Sequence, residues 1–216
     1  NKIKEATETY KTMIQKFPNN AETYLNLGYM QEKAGQLENA IKTYDQYEKY
    51  FGLDETVVLE KKNMYLRLNK FNDALNEIQK LVDAFPNEMD YLLMEAELYR
   101  ANRMKDKATE VYKKILAKEP DNPQALLALA DIDSKDGNQT QNLDNLKKIF
   151  ANPKMDVDTK IRILYPYLQY WDVQKAKKQD AFDLAEILTK THHNEAKAFA
   201  IKGDLYYFDS QYDKAL

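Results

Sequence analysis

Ala6, Ala40, Ala74 and Ala108 stand thirty-four residues apart, and no other feature of the chain limits its fold so narrowly. A fixed period of this length is what stacked helix-turn-helix units produce. One such unit cannot bury its apolar face alone and must be covered by a copy of itself. The column continues with Asn142 at the next expected place, then Ala181, five residues late, then Ala215, again in step. Tyr10, Tyr44, Ile78, Tyr112 and Leu146 form a second column four residues on, one helical turn away on the same face. Alanine at one turn lets a neighbouring backbone approach, and the large side chain beside it fills the remaining space.

The repeating unit is clearest from Tyr24 to Tyr44. Tyr24, Leu27 and Gly28 fall at helical spacing, Gly35 interrupts them, and Leu37, Ala40, Ile41 and Tyr44 resume the pattern on a second helix. Pro18, Pro86 and Pro120 close the second helices, with Gly52 and His193 in that place elsewhere. Gly35, Asn69, Asn102 and Gly137 supply the turns with residue types that accept a left-handed backbone. First helices share the columns Tyr24, Val58, Leu92, Leu126, Phe199 and Gly28, Lys62, Ala96, Ala130, Gly203.

This pattern resembles the tetratricopeptide repeat family. The match is tightest in Tyr24, Leu27 and Gly28 with Ala40, Tyr44 and Gly52, and in Phe199, Gly203 and Tyr206 with Ala215. It departs at Lys61 and Lys62, where apolar and small residues are expected. The expected fold is all-α: a right-handed superhelical solenoid of stacked antiparallel helix-turn-helix repeats, forming one array over residues 1–216. Residues 1–20 read as the second helix of a partial repeat and 21–54, 55–88 and 89–122 as regular repeats. Residues 123–156 read as an irregular repeat, 157–195 as a lengthened one and 196–216 as a truncated one. Because solenoids need polar end caps, the natural protein is expected to extend in at least one direction.

Two stretches break the rhythm. Asn138 to Asn142, NQTQN, is polar where a second helix should open, which predicts a delayed helix start, and the linker at 151–158 is either surface variation or a joint between two halves. Tyr165 to Trp171, YPYLQYW, concentrates aromatics around Pro166, where a kink or early break is expected. These aromatics either pack in the core of a lengthened hairpin or stand exposed as binding anchors.

Composition narrows the function. A 44% hydrophobic, 31% charged chain suits amphipathic helices, and no apolar run is long enough to cross a membrane. Net charge of −3 gives no basic field for nucleic acid or anionic lipid, and zero cysteines excludes disulfides and thiolate metal sites. Neither point fixes the compartment, cytoplasmic or exported. His192 and His193 are adjacent in a predicted loop, where solvent exposure is expected and two neighbours rarely converge on one ion. No phosphate-binding glycine loop or paired carboxylates in a dry pocket are evident. Catalytic residues, metal ligands and cofactors are therefore not expected, and a small-molecule ligand is disfavoured.

In the family that the chain resembles, first helices line a concave face where partner peptides or helices bind. The resemblance implies a non-catalytic protein-protein interaction scaffold, or alternatively a regulatory or localising domain of a larger enzyme, receptor or cell-envelope assembly. The corresponding positions here include Glu22, Tyr29, Glu32, Asn63, Asp90, Glu97, Arg100, Asp131, Tyr165, Asp204 and Tyr207. With Asp158, seven groove-column residues are acidic, and Arg100 and Lys197 alone are basic. A basic partner, or one with apolar anchors, fits such a face. Phosphate backbones would be repelled, as would a terminal carboxylate, since Leu25, Tyr29, Glu60, Asp90 and Met94 hold the family's clamp positions.

Overall fold

Helix starts reproduce the period. First helices begin at Ala21, Glu55, Met89, Pro123 and Val157, and their partners at Leu37, Phe71, Lys105 and Gln139. Each first helix is opened by a side chain one residue before it where chemistry allows. Asn20, Asp54 and Asn122 accept from the backbone N–H groups of Thr23, Val57 and Ala125, satisfying donors that the first turn leaves without intrahelical partners. Asp156 does the same for Thr159 at 2.8 Å.

The computed structural model describes residues 2–169, 171 and 177–215. The fold is all-α, with no strand among the described residues, and the chain divides into two compact units, Asn1–Met104 and Lys105–Leu216. In the first unit, α1 (Lys2–Lys16), α2 (Ala21–Lys33), α3 (Leu37–Phe51), α4 (Glu55–Arg67), α5 (Phe71–Ala84) and α6 (Met89–Ala101) pack each against the next. The second unit holds α7 (Lys105–Lys118), α8 (Pro123–Asp136), α9 (Gln139–Ala151), α10 (Val157–Gln169), α11 (Lys178–Thr191), α12 (Ala196–Phe208) and the short α13 (Tyr212–Ala215). The division lies in the turn between α6 and α7, and the 151–158 linker falls inside the second unit.

The alanine column does what its spacing requires: Ala40, Ala74, Ala108 and Ala181 are fully buried. Gly28 shows the close approach most directly, since a Cβ there would lie 2.3 Å from a Tyr44 ring carbon. Turns between paired helices reverse through one left-handed residue, at Gly35, Asn69, Arg103, Gly137 and Ser210. A backbone bond spans five residues across each, as from Gln36 N–H to the Gln31 carbonyl and from Met104 N–H to the Tyr99 carbonyl. The third turn thus bends at Arg103 and not at Asn102, whose φ is −89°. Position in the repeat overrides the preference of the residue type.

Four further expectations change. α9 begins at Gln139, in step with the other second helices, so there is no delay at 138–142; Asn142 instead donates to the Ala130 carbonyl at 2.6 Å, giving α9 and α8 a polar contact where other repeats use alanine. α10 runs through Pro166 to Gln169 without breaking there. Lys61 puts a charge in the place where an apolar residue is expected: its ammonium is buried and lies 2.6, 2.8 and 3.0 Å from Asp45, Glu48 and Glu77. Phe199 is exposed, while Ala198 and Ile201 of the same helix are buried.

The aromatic stretch divides between both readings. Trp171 belongs to the core of the second unit, in edge contact with Phe182, and Tyr167 is half-buried, its hydroxyl pushed up to about 12 by burial and by Asp180. Tyr165 points outward. Tyr170, the insertion at 172–176 and the terminal Asn1 and Leu216 lie outside the described residues.

Candidate protein-interaction surface

First helices present their outer faces at the predicted columns. In the first unit, Glu22 and Tyr29 stand exposed on α2, Asn63 on α4, and Asp90, Glu97 and Arg100 on α6. Glu32 is partly covered, because Arg67 at the end of α4 reaches back to it at 2.5 Å. In the second unit, Asp131 is exposed on α8, Tyr165 on α10, and Asp204 and Tyr207 on α12.

Their charges are less available than a count of columns suggests. Glu97 pairs with Arg100 at 2.6 Å, Asp131 with Lys135 at 2.8 Å and Asp158 with Lys197 at 2.8 Å. Lys33 lies over the Tyr29 ring, 5.1 Å from its centre. Arg67, Lys135 and Lys33 sit outside the columns that spacing selects, so sequence reasoning passed over them. An acid three or four residues from a base on one helix was the available signal for Asp131 and Lys135. Glu22, Asp90 and Asp204 have no ion-pair partner among the described residues.

A feature that spacing did not reveal lies in the second unit. A crevice of about 460 Å³ opens between α8 and α10, with Leu127 and Ala130 on one side, Ile163, Pro166 and Tyr167 on the other, and Leu146 and Asn142 of α9 in the lining. Asp131, one of the predicted groove positions, also lines it, as do Ser134 and Lys177. Space at this point follows from the local sequence. Ala130 is small, Asn142 is drawn to the Ala130 carbonyl, and Pro166 presents a ring and no N–H. Apolar walls with a few polar groups suit the docking of a partner side chain.

Among the described residues no three His, Asp or Glu side chains gather to hold a metal, and no helix is long and apolar enough to cross a membrane. His193 is exposed as the sequence suggests, whereas His192 is partly buried against Lys160. The loop position was legible, but the buried lysine facing it was not.

Two tetratricopeptide repeat family models match the sequence, over residues 9–42 and 89–132, and the helix pairs, left-handed turns and alanine contacts described above are the structural form of that repeat. The chain carries tetratricopeptide repeats. No curated protein matches it in sequence. Among solved structures, a tetratricopeptide repeat protein from Parabacteroides merdae is 19% identical with a TM-score of 0.54, the match covering 99% of this chain and 82% of that one. MamA is 20% identical with a TM-score of 0.52 over 68% of this chain and 86% of its own. Human IFIT1, in a dimer with m7Gppp-AAAA, is 15% identical with a TM-score of 0.50 over 95% of this chain and 55% of its own. At these identities the likeness is one of fold. Tetratricopeptide repeats in general support scaffolds for protein interaction, and the fold of this chain is of that kind.

Proposed function

We propose that the chain holds a segment of a partner protein on the outer face of its first helices, with the crevice between α8 and α10 receiving an apolar side chain of that segment. The crevice carries this reading: apolar walls from Leu127, Ile163 and Pro166 open beside the groove residue Asp131 and beside Ser134. A desolvated pocket bordered by polar groups is where interface energy concentrates. Exposed Tyr165 and Tyr207 add rigid aromatic area on the same first helices of this unit. Charge plays a secondary part, because Glu97 and Asp131 already have cationic neighbours. The IFIT1 dimer was solved with m7Gppp-AAAA; here the carboxylates Glu22, Asp90 and Asp204 on the first helices, without an ion-pair partner among the described residues, favour a protein ligand over a phosphate backbone.

A displayed-peptide library selected on the wild-type chain supplies ligands for the test. Leu127→Glu, which places a charge in the crevice wall, is expected to weaken the selected peptides at least about tenfold, a loss of roughly 1.4 kcal/mol. The double change Glu97→Lys with Asp131→Lys is expected to weaken them less. Peptides that bind Leu127→Glu as tightly as wild type, with melting unchanged, would place binding elsewhere.

A further inference from the structure

Lys160, near the start of α10, is fully buried. Its ammonium donates to the carbonyls of Phe150 at 2.9 Å and Asn152 at 2.6 Å, and stands 2.7 Å from Nε2 of His192. An ammonium has three N–H donors and accepts nothing. Two carbonyls and one imidazole nitrogen therefore complete it, provided that Nε2 presents a bare lone pair. The carbonyls belong to the end of α9, where the helix dipole favours a cation, and His192 is the residue that closes α11. A single buried charge thus joins the ends of α9 and α11 to α10.

The groups that face this pair are few. Asp156, in the linker before α10, acts on both Lys160 and His192; Glu195, in the loop after α11, acts on His192; and His192 also bonds the Met155 carbonyl. Both acids favour the charged forms. Neither forms an ion pair with Lys160, whose three donors are already taken.

We propose that Lys160 and His192 form a proton-operated latch, closed while the imidazole is neutral and opened when a proton on it sets two cations in contact and frees the end of α11 from the linker. Burial, and then Lys160, pull the imidazole below its ordinary 6.5, against Glu195, the Met155 carbonyl and Asp156. Burial also lowers the Lys160 ammonium to about 8, with Asp156 opposing. Since the folded imidazole binds a proton less readily than the unfolded one, the unfolded chain holds more protons between the two values. The imidazole's contribution is therefore complete above pH 6.5 and is lost as the pH falls through the folded value.

The sole tryptophan, Trp171, is buried in the second unit, and it reports melting there without contribution from the first. With the full chain, the Trp171 melting midpoint is expected to fall as the pH is lowered from 7.5 to 5. His192→Gln, which keeps an acceptor but cannot take up a proton in this range, should flatten that dependence, and His193→Gln should retain it. NMR of the imidazole protons gives a second reading on the wild type, needing no altered core: His192 should titrate below 6.5 and move upward in Lys160→Met. The latch is overturned if His192→Gln melts with the wild-type pH dependence, or if the wild-type His192 titrates at or above 6.5.

Discussion

A side chain at position 28 has nowhere to go, because the Tyr44 ring already occupies the place of its Cβ. Gly28→Val is accordingly expected to cost about 1–3 kcal/mol by overpacking. Gly35→Ala makes a useful contrast. Its surroundings are open and only its φ of 74° resists, so it should cost about 1–2 kcal/mol from backbone strain alone. Thermal melts of the two variants beside Ala74→Leu, in a fully buried site of the alanine column, separate crowding from strain. Lys61 poses a different problem. Its position as a departure from the repeat pattern is plain in the sequence, but its three carboxylates come from α3 and α5 and meet only once those helices are stacked around α4. Lys61→Met should cost about 3–5 kcal/mol, because the buried Glu77 and the partly buried Glu48 would be left with one cation, Lys80, between them. Adding Glu48→Gln and Glu77→Gln should recover part of that loss in a denaturant melt.

Helices carry the period, and at their scale most of the fold was readable. Capping residues Asn20, Asp54 and Asn122, the turn glycines and the alanine column each announce a boundary or a contact by residue type alone. Arg103 does not. It bends left-handed in a turn of the same length as its neighbours, and no local preference records that. Relief of this strain is measurable: Arg103→Gly should raise the melting stability by up to about 1 kcal/mol, the αL penalty less the extra entropy that glycine loses on folding. The candidate site was less legible than the helices that build it. Spacing put Asp131 and Tyr165 on outward faces, but the crevice between α8 and α10 depends on Asn142 turning to the Ala130 carbonyl and on Pro166 staying helical. Both are outcomes of packing, and both read in the sequence as disruptions.

Across the whole molecule, acid should act on the two units at different pH. In the first, burial pushes the Glu48 carboxyl up, but hydrogen bonds to Lys61 and Lys80 prevail and hold it below its ordinary 4.5. A carboxylate with a depressed folded value stabilises fully above the unfolded value and loses that contribution as the pH falls below it. Residues 1–104 contain no histidine, so hydrogen exchange there should stay slow, relative to intrinsic rates, until the pH drops under about 4.5, whereas amides around 152–160 and 188–192 should open from about 6.5 downward. Equal acid sensitivity in both segments would contradict this division.

The cluster around Lys61 also bears on how such a chain can lengthen or shorten. Helices spaced at thirty-four residues invite duplication and excision, since removing 55–88 would join Asp54 to Met89 with caps and turns in phase. The residue brought into the place of Lys61 would be Glu95, a third carboxylate facing Asp45 and Glu48. Geometry makes these units interchangeable, and buried charge forbids the exchange, so their order along the chain is written in electrostatics and not in shape.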